Sequence, residues 1–403
     1  MFVREIKVSN FMIHRSTDVA LFPLTVFVGP NNSGKSSLFD ALLKLSAVCV
    51  DSIPDTFPSG PYSYRSRHHN GAGADEPIRF DVVFAASPED SNELRYEIAY
   101  RQVSWDAGRA TYEITHEHLV ERPSGLVLYD RLSDEISAVA IREFLSPQTS
   151  FFAALRKAYF ERQIRTPGLA GHVSVNISKF GKFRLDPSIL GRPGPLPETL
   201  APAGVRLPPR RMGYLGEELA SVLYFLSRTR DPSLELIIEG VRSAIDGFAG
   251  FEFNAVGNDL VGLSARFDDS RGVVEAPNLS AGTLSLIGWL TLLYRADRQP
   301  VVMLEEPELG LTPRSTKAIY DAMRAASAST DATRTQLLVS SHSPRILNWA
   351  SLDYGNDSVY VLRAGAGAAE IATYASTLEV PGYGVDLNRA MGVDLANQMM
   401  DGF

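Results

Sequence analysis

The sequence predicts an α/β fold with a parallel core sheet, an antiparallel β subdomain and a helical, Pro/Gly-rich insertion. Three observations carry this. Short apolar strands alternate with helical patterns near the start and again from Gly250 onward, the order that builds a parallel sheet. Between 78 and 132, "IRFDVVFA", "LRYEIAYRQV", "ATYEITHEHLV" and "GLVLYDRL" alternate with period two between polar turns, as an antiparallel meander does. Residues 166–211 hold eight prolines and six glycines, which excludes long helices there.

In chain order, "REIKVSNF" and "PLTVFVG" read as strands, and the second runs into a glycine-rich turn. From Lys35, "KSSLFDALLKLSAV" places apolar residues at helical spacing. After the meander the pattern predicts helices near 134–146 and 149–164, then the loose insertion. "YLGEELASVLYFLSRT" and "PSLELIIEGVRSAI" read as amphipathic helices. Beyond them come a helix over 282–296, a strand over 300–304, a helix over 313–327 and the strand "TQLLVS". The expected organisation is residues 1–132 and 212–365 as the two parts of one α/β head, 133–211 as a helical, basic insertion, and 366–403 as a tail. In the tail Leu387, Met391, Leu395 and Met399 recur at helical spacing, a stripe that either docks a partner or packs on its own domain.

The net charge of −8 argues against a generally basic nucleic-acid binder, but it hides an asymmetry. From Arg156 to Arg211 there are eleven Lys/Arg and only three Asp/Glu. Within that segment Phe180 and Phe183 lie among Lys179, Lys182 and Arg184, a basic–aromatic mix suited to single-stranded nucleic acid. A solvated basic loop is the blander reading. No apolar run approaches the roughly 18 residues of a membrane span, so no membrane partner is expected. Cys49 is the only cysteine, which excludes an internal disulfide and points to a reducing cytosol.

Two stretches carry chemistry. "GPNNSGKSS" satisfies G-x-x-x-x-G-K-[ST] between a strand and a helix, the context the motif requires. Its glycines let backbone N–H groups wrap a phosphate chain, and the helix N-terminus adds partial positive charge. Lys35 then reaches the terminal phosphates, and the Ser36 hydroxyl is placed to ligate Mg²⁺. The second stretch, "VVMLEEPELGLTP", runs four apolar residues into Glu305 and Glu306. A carboxylate at the end of a core strand needs a cation. If this strand lies beside the one feeding the phosphate loop, Mg²⁺ and its nucleotide supply it. Glu305 would then hold the ion's shell and Glu306 would orient or deprotonate the attacking water. The alternative is a solvated helix cap, since acids favour first turns.

Two further stretches complete a recognisable order. "NLSAGTLSLIGWL" resembles the signature motif of ABC-type ATPases, and "LLVSSHSPRIL" resembles their switch-histidine strand, giving His342. With the phosphate loop and "MLEEPELGL", the chain resembles the RecF/SMC/OLD-like group of ABC-type P-loop ATPases, predicted AAA-family ATPases found in anti-phage defence systems. The likeness covers about 1–50 and 212–365. It implies an ABC-type head that hydrolyses ATP with Mg²⁺ in a site shared by two subunits. Gly29, Asn32, Ser33, Gly34, Lys35, Ser36 and Ser37 of one copy would hold the nucleotide, and Ser280 and Gly282 of the other would close over the γ-phosphate. Lys35, Glu306 and His342 would act in catalysis, with Ser36 and Glu305 at the metal. The chain departs from the pattern at Thr312, where many relatives have histidine, and in lacking an obvious Q-loop glutamine. Gln102 falls in a strand, and His68 or His69 either substitutes or sits in a solvated basic loop.

Three roles remain open at this level. One is an ATP-gated switch in anti-phage defence that controls a separate nuclease or toxin. Only 61 residues follow His342, too few for a further catalytic domain of ordinary size. The second is a repair or chromosome-maintenance ATPase that clamps DNA through segment 156–211 when ATP closes a homodimer or higher oligomer. The third is a clamp that binds ATP and hardly turns it over.

Overall fold

The computed structural model describes residues 1–373 except 58–62, 107–108, 134, 137–138, 163–167, 197–210, 296–298, 329–333, 354, 356–357 and 366–367. The tail stripe from Leu387 to Met399 therefore lies outside the described residues. Along the chain the strands are β1 (Phe2–Phe11), β2 (His14–Ala20), β3 (Leu24–Val28), β4 (Ile78–Ala85), β5 (Glu93–Asp106), β6 (Arg109–Arg122), β7 (Val127–Asp130), β8 (Glu135–Ile136), β9 (Gly181–Phe183), β10 (Gly194–Pro195), β11 (Phe248–Val256), β12 (Leu260–Phe267), β13 (Val273–Glu275), β14 (Val301–Glu305), β15 (Gln336–Ser341), β16 (Val359–Ala364) and β17 (Ala369–Thr373). The chain divides into two compact units, Met1–Phe180 with Leu347–Phe403, and Gly181–Ile346. The segment read as one insertion, 133–211, is thus shared between them.

In the first unit an antiparallel sheet runs in the order β2-β1-β4-β5-β6-β7-β8. Sequence periodicity marked β4 to β7. It did not mark β2, whose "HRSTDVA" pairs with β1 across a turn at Met12. The helix expected over 134–146 is the short strand β8 and a 3₁₀ segment, Val139–Phe144. The next expected helix forms over Phe151–Arg162 and buries Phe151, Phe152 and Leu155. Strand β3 is buried at all five positions, the mark of a strand covered on both faces. It pairs in parallel with β16, which pairs antiparallel with β17. Phe27 stacks on Tyr360 of β16, and Phe39 of the following helix meets it edge-on.

In the second unit β14 is flanked by β15 on one side and β9 on the other, both parallel. Every residue of β14 and of β15 is buried, so the apolar run "VVML" is a core strand in fact. Both of its edges are occupied. A smaller antiparallel sheet is formed by β10, β12, β11 and β13. Helix Ala281–Tyr294 is buried almost continuously from Leu284 to Leu293, as befits a helix hydrophobic all round. Helix Leu219–Thr229 instead buries one face, with Leu219, Val222, Leu223 and Leu226. Among the described residues no helix is long and apolar enough to cross a membrane.

Candidate active site

The first unit builds the phosphate loop from β3 and the helix Lys35–Val48. Gly29 stands at φ +150°, and a Cβ there would lie 2.2 Å from the Leu362 carbonyl oxygen. Gly34, at φ +104°, is hemmed in by His14, Ile13 and Ala369, each 3.1 Å from where a Cβ would sit. Only glycine fits these two positions. Asn32 adopts φ +68°, a left-handed conformation that asparagine tolerates. No side chain caps the helix at Gly34, so no capping side chain competes with an anion at this helix start. Lys35 is buried, and its Nζ donates to the carbonyls of Gly29 (2.7 Å) and Pro30 (2.8 Å) and lies 3.5 Å from Ser33 Oγ. The ammonium is folded onto its own loop, within reach of whatever phosphate that loop holds. Ser33 and Ser37 are buried, whereas Asn32 and Ser36 are exposed. Ser37 Oγ donates to the Gly34 carbonyl at 2.9 Å.

His14 belongs to this loop, although nothing in its sequence context singled it out. Its Nε2 lies 3.1 Å from both the Gly34 carbonyl and Ser37 Oγ, and its Nδ1 is 2.9 Å from Thr17 Oγ1. Burial lowers its pKa from 6.5 to about 4, against a partly compensating bond to Gly34. The neutral ring therefore braces the loop from beneath. The folded state resists the proton that the unfolded chain accepts, so stability falls as pH drops through 6.5 toward 4. His14 should account for about 3 kcal/mol of that fall. His14→Gln is expected to flatten this part of a denaturation–pH profile; an unchanged slope would remove His14 as its source.

The second unit answers the question raised by the two glutamates: where are their cations? Glu305 is buried, and Lys182 Nζ lies 3.2 Å from its Oε1. The Tyr214 hydroxyl donates to its other oxygen at 2.8 Å. Glu306 faces Arg184 Nη2 at 3.7 Å and His342 Nε2 at 3.3 Å. Glu306 also adopts φ +49°, rare for a residue with a long side chain and costing on the order of 1–3 kcal/mol. Its own N–H continues the ladder to the Ser340 carbonyl at 2.9 Å, so the strained turn re-aims the carboxylate as the strand ends. The helix-cap alternative for "EEPE" does not describe Glu305, which lies within β14.

Glu308 is the residue of this stretch that sequence reasoning left without a role. Its Oε1 accepts from Ser341 Oγ (2.7 Å) and from the His342 backbone N–H (2.8 Å). Its Oε2 is buried and has no hydrogen-bond partner in the structure. Burial pushes its pKa up, hydrogen bonds from Ser341 and from the Glu308 and His342 backbone oppose this, and the Glu306 charge adds a smaller push upward. Glu308 thus ties the end of β15 to the turn after β14 and sets His342 beside Glu306. The third acid of "EEPE" was the visible signal, but which strand it reaches depends on sheet order.

The remaining sequence-marked residues fall as follows. Ser280 is the N-cap of helix Ala281–Tyr294, accepting from the Thr283 N–H at 3.1 Å, and it is exposed. Gly282 is required within the chain, because a Cβ there would lie 2.9 Å from the Gly310 carbonyl oxygen. Thr312 caps the helix Pro313–Ala328 by accepting from the Ser315 N–H, a role threonine fills well. His68 and His69 are not in a solvated loop. They hold the carbonyls of Glu76 and Met12, both at 2.7 Å. Of the basic–aromatic group, Phe180 and Phe183 are buried and are not available as stacking platforms. Lys179 bonds Asn176, and Lys182 and Arg184 face the glutamates.

A Mg²⁺ ion suits this donor set, which offers hard oxygens. Among the described residues no group of three or more His, Cys, Asp or Glu could hold a metal unaided. Mg²⁺ ordinarily takes one or two protein oxygens and completes its shell with phosphate and water. The Glu305 carboxylate at the end of β14 is one such oxygen.

A phosphate-cradling strand–loop–helix and a buried strand ending in carboxylates define a P-loop nucleotide-binding protein. Comparison with known families agrees. A model described as "AAA ATPase domain" matches residues 1–91, which hold the phosphate loop. A model described as "AAA domain, putative AbiEii toxin, Type IV TA system" matches residues 207–348, which hold Ser280, Glu305, Glu306 and His342. Both parts of the chain that carry these motifs thus match models of AAA-type ATPase domains. Among solved structures it is similar to the SMC head domain from Thermotoga maritima, with 15% identity, TM-score 0.43, and coverage of 93% of this chain and 99% of that one. It is also similar to an SMC head bound to the C-winged helix domain of ScpA, with 11% identity, TM-score 0.49, and coverage of 93% and 98%. An Smc head with an extended coiled coil, bound to the C-terminal domain of ScpA derived from Pyrococcus furiosus, shows 10% identity, TM-score 0.46, and coverage of 92% and 96%. No curated protein matches the chain.

Proposed function

We propose that the chain is a Mg²⁺-dependent ATP hydrolase that acts as an ATP-gated switch in anti-phage defence and controls a separate effector, a nuclease or toxin. The observation that carries the hydrolase part is the strained Glu306, at φ +49° with His342 Nε2 3.3 Å away. A non-glycine residue held in that conformation at a strand end, beside a histidine, is an arrangement a merely structural acid does not need. Glu306 would take a proton from the attacking water, or align it, and His342 would stabilise the carboxylate or the γ-phosphate. Lys35 would neutralise phosphate charge, with the uncapped helix N-terminus behind it. The bound ion would supply charge neutralisation at the transferring phosphate. The exposed position of Ser280 at a helix start fits the proposal that a second copy closes the site, in a homodimer or larger oligomer.

The defence part rests on the family description for residues 207–348, which names a putative AbiEii toxin and a type IV toxin–antitoxin system. Burial of Phe180 and Phe183, and the pairing of Lys182 and Arg184 with the glutamates, weaken the DNA-clamp alternative. Arg206 and Arg210, the other part of its basic segment, lie outside the described residues.

Two experiments test the proposal. Lys35→Ala should weaken ATP binding about 10- to 100-fold, from the loss of charge-assisted hydrogen bonds, when titrated by calorimetry. Retained affinity would undo the assignment of the phosphate loop. Co-purification with the products of neighbouring genes, in ATP and in ADP, should retain a nuclease or toxin at fixed stoichiometry in one nucleotide state. A homodimer that carries only DNA would replace the defence reading with chromosome maintenance.

A further inference from the structure

The pairing between β9 and β14 has a consequence for metal binding. β9 is a three-residue edge strand in register Met303↔Lys182 and Leu304↔Phe183. Lys182 of β9 and Arg184 just beyond its end meet Glu305 and Glu306 respectively. The strand is held close: a Cβ at Gly181 would overlap the Gln299 side chain. The segment that follows the insertion locks it from the other side, with Arg184 N–H donating to the Tyr214 carbonyl and Asp186 N–H to that of Leu215, both at 2.9 Å. Tyr214 is thereby placed to donate to Glu305 while Lys182 Nζ sits 5.9 Å from its ring centroid. The side chains of Lys182 and Glu305 are only 11% and 6% exposed, so the contact between them is largely shielded from water.

We propose that Lys182 is a tethered cation that occupies the Glu305 carboxylate when no metal is bound and yields it when Mg²⁺ arrives with nucleotide. Lys182 thereby sets the concentration of Mg²⁺ at which the site fills. This rests on the reading of Glu305 as the residue that holds the metal. An ammonium and a divalent ion cannot face one carboxylate oxygen at about 3 Å without strong mutual repulsion in so enclosed a place. Lysine suits the exchange because its charge is a point at the end of a flexible four-carbon stem, which swings without disturbing the backbone of β9. Tyr214 is neutral and stays on Glu305 in both states. The chain thus tolerates a buried carboxylate without metal and keeps it from binding cations unselectively.

The test measures the Mg²⁺ concentration that gives half of the rise in melting temperature at saturating ADP, a readout independent of turnover. Lys182→Met keeps the stem and removes the charge. It should melt lower than wild type without metal and need about tenfold less Mg²⁺ for half the rise. An unchanged or increased Mg²⁺ requirement in this variant would overturn the proposal. Lys182→Arg keeps the charge and covers the case in which the methionine variant does not fold. It should need at least as much Mg²⁺ as wild type, and a lower requirement would also overturn the proposal. Glu305→Gln separates the two readings. If it leaves the Mg²⁺ requirement of the wild-type background unchanged, the metal role of Glu305 fails and the proposal falls with it. If it raises the requirement while Lys182→Met does not lower it, the metal role stands and the competition alone is refuted.

Discussion

Glu306→Gln is expected to bind ATP as wild type does and to lose turnover by about 10²- to 10⁴-fold, the usual share of a positioned general base. Glutamine keeps the shape of the side chain and a polar contact to His342 Nε2, which lies 3.3 Å from Glu306 Oε1. It does not accept the proton. Single-turnover measurements should show the loss in the chemical step, and equilibrium titration should show no loss in affinity. Because the nucleotide then persists, the variant should accumulate as an ATP-held oligomer. Wild-type turnover in this variant would take Glu306 out of the mechanism. The backbone supplies a second arm. Glu306→Asn should also be inactive, yet more stable by about 1 kcal/mol, since asparagine accepts the left-handed conformation more readily. Equal or lower stability would mean that the turn carries little strain.

The second large effect concerns a buried ion pair in the first unit. Glu117 is fully buried on β6, and Arg131 reaches its Oε2 at 2.8 Å. Its Oε1 accepts from the Tyr96 hydroxyl and the Phe151 N–H, both at 2.6 Å. Arg131 also donates to the carbonyls of Ser146 and Thr149, so one side chain ties the sheet to the start of helix Phe151–Arg162. Burial raises the pKa of Glu117, and the Arg131 charge is the largest effect pulling it back. Arg131→Met leaves that carboxylate unpaired and should cost about 3–5 kcal/mol in chemical denaturation. A group whose pKa is raised by folding stabilises the fold most below its unfolded value and loses that contribution as pH rises. The variant should therefore regain stability on acidification more steeply than wild type. A loss under about 1 kcal/mol would show that water or another cation replaces Arg131.

Much of the site is written in short-range sequence. The phosphate loop was legible because its demands are local: glycine where φ is positive or a backbone approaches, a strand before and a helix after. Gly29 and Gly34 meet those demands within a few residues of Lys35. Strand β14 was legible for a similar reason, since five buried positions leave no room for polar alternation. Other readings failed where local pattern and tertiary need diverged. The segment 134–146 has the composition of a helix and forms a short strand and a 3₁₀ turn, since β8 completes an edge of the sheet. β2 went unmarked because "HRSTDVA" has few apolar residues, although Val19 and His14 are buried.

By itself, then, the sequence determined that this chain makes a phosphate-binding loop, a meander and a core strand that ends in two carboxylates. Each depends on backbone geometry and side-chain periodicity over a dozen residues or fewer. Only the tertiary structure decided which cations answer those carboxylates. "GKFRLD" reads as a basic, aromatic loop, yet its first three residues form an edge strand on β14, with Lys182 and the following Arg184 on the glutamates and Phe183 in the core. The physical reason is that a charge is satisfied by whatever lies within a few ångströms, and sheet order, which joins residues far apart in the chain, sets that neighbourhood.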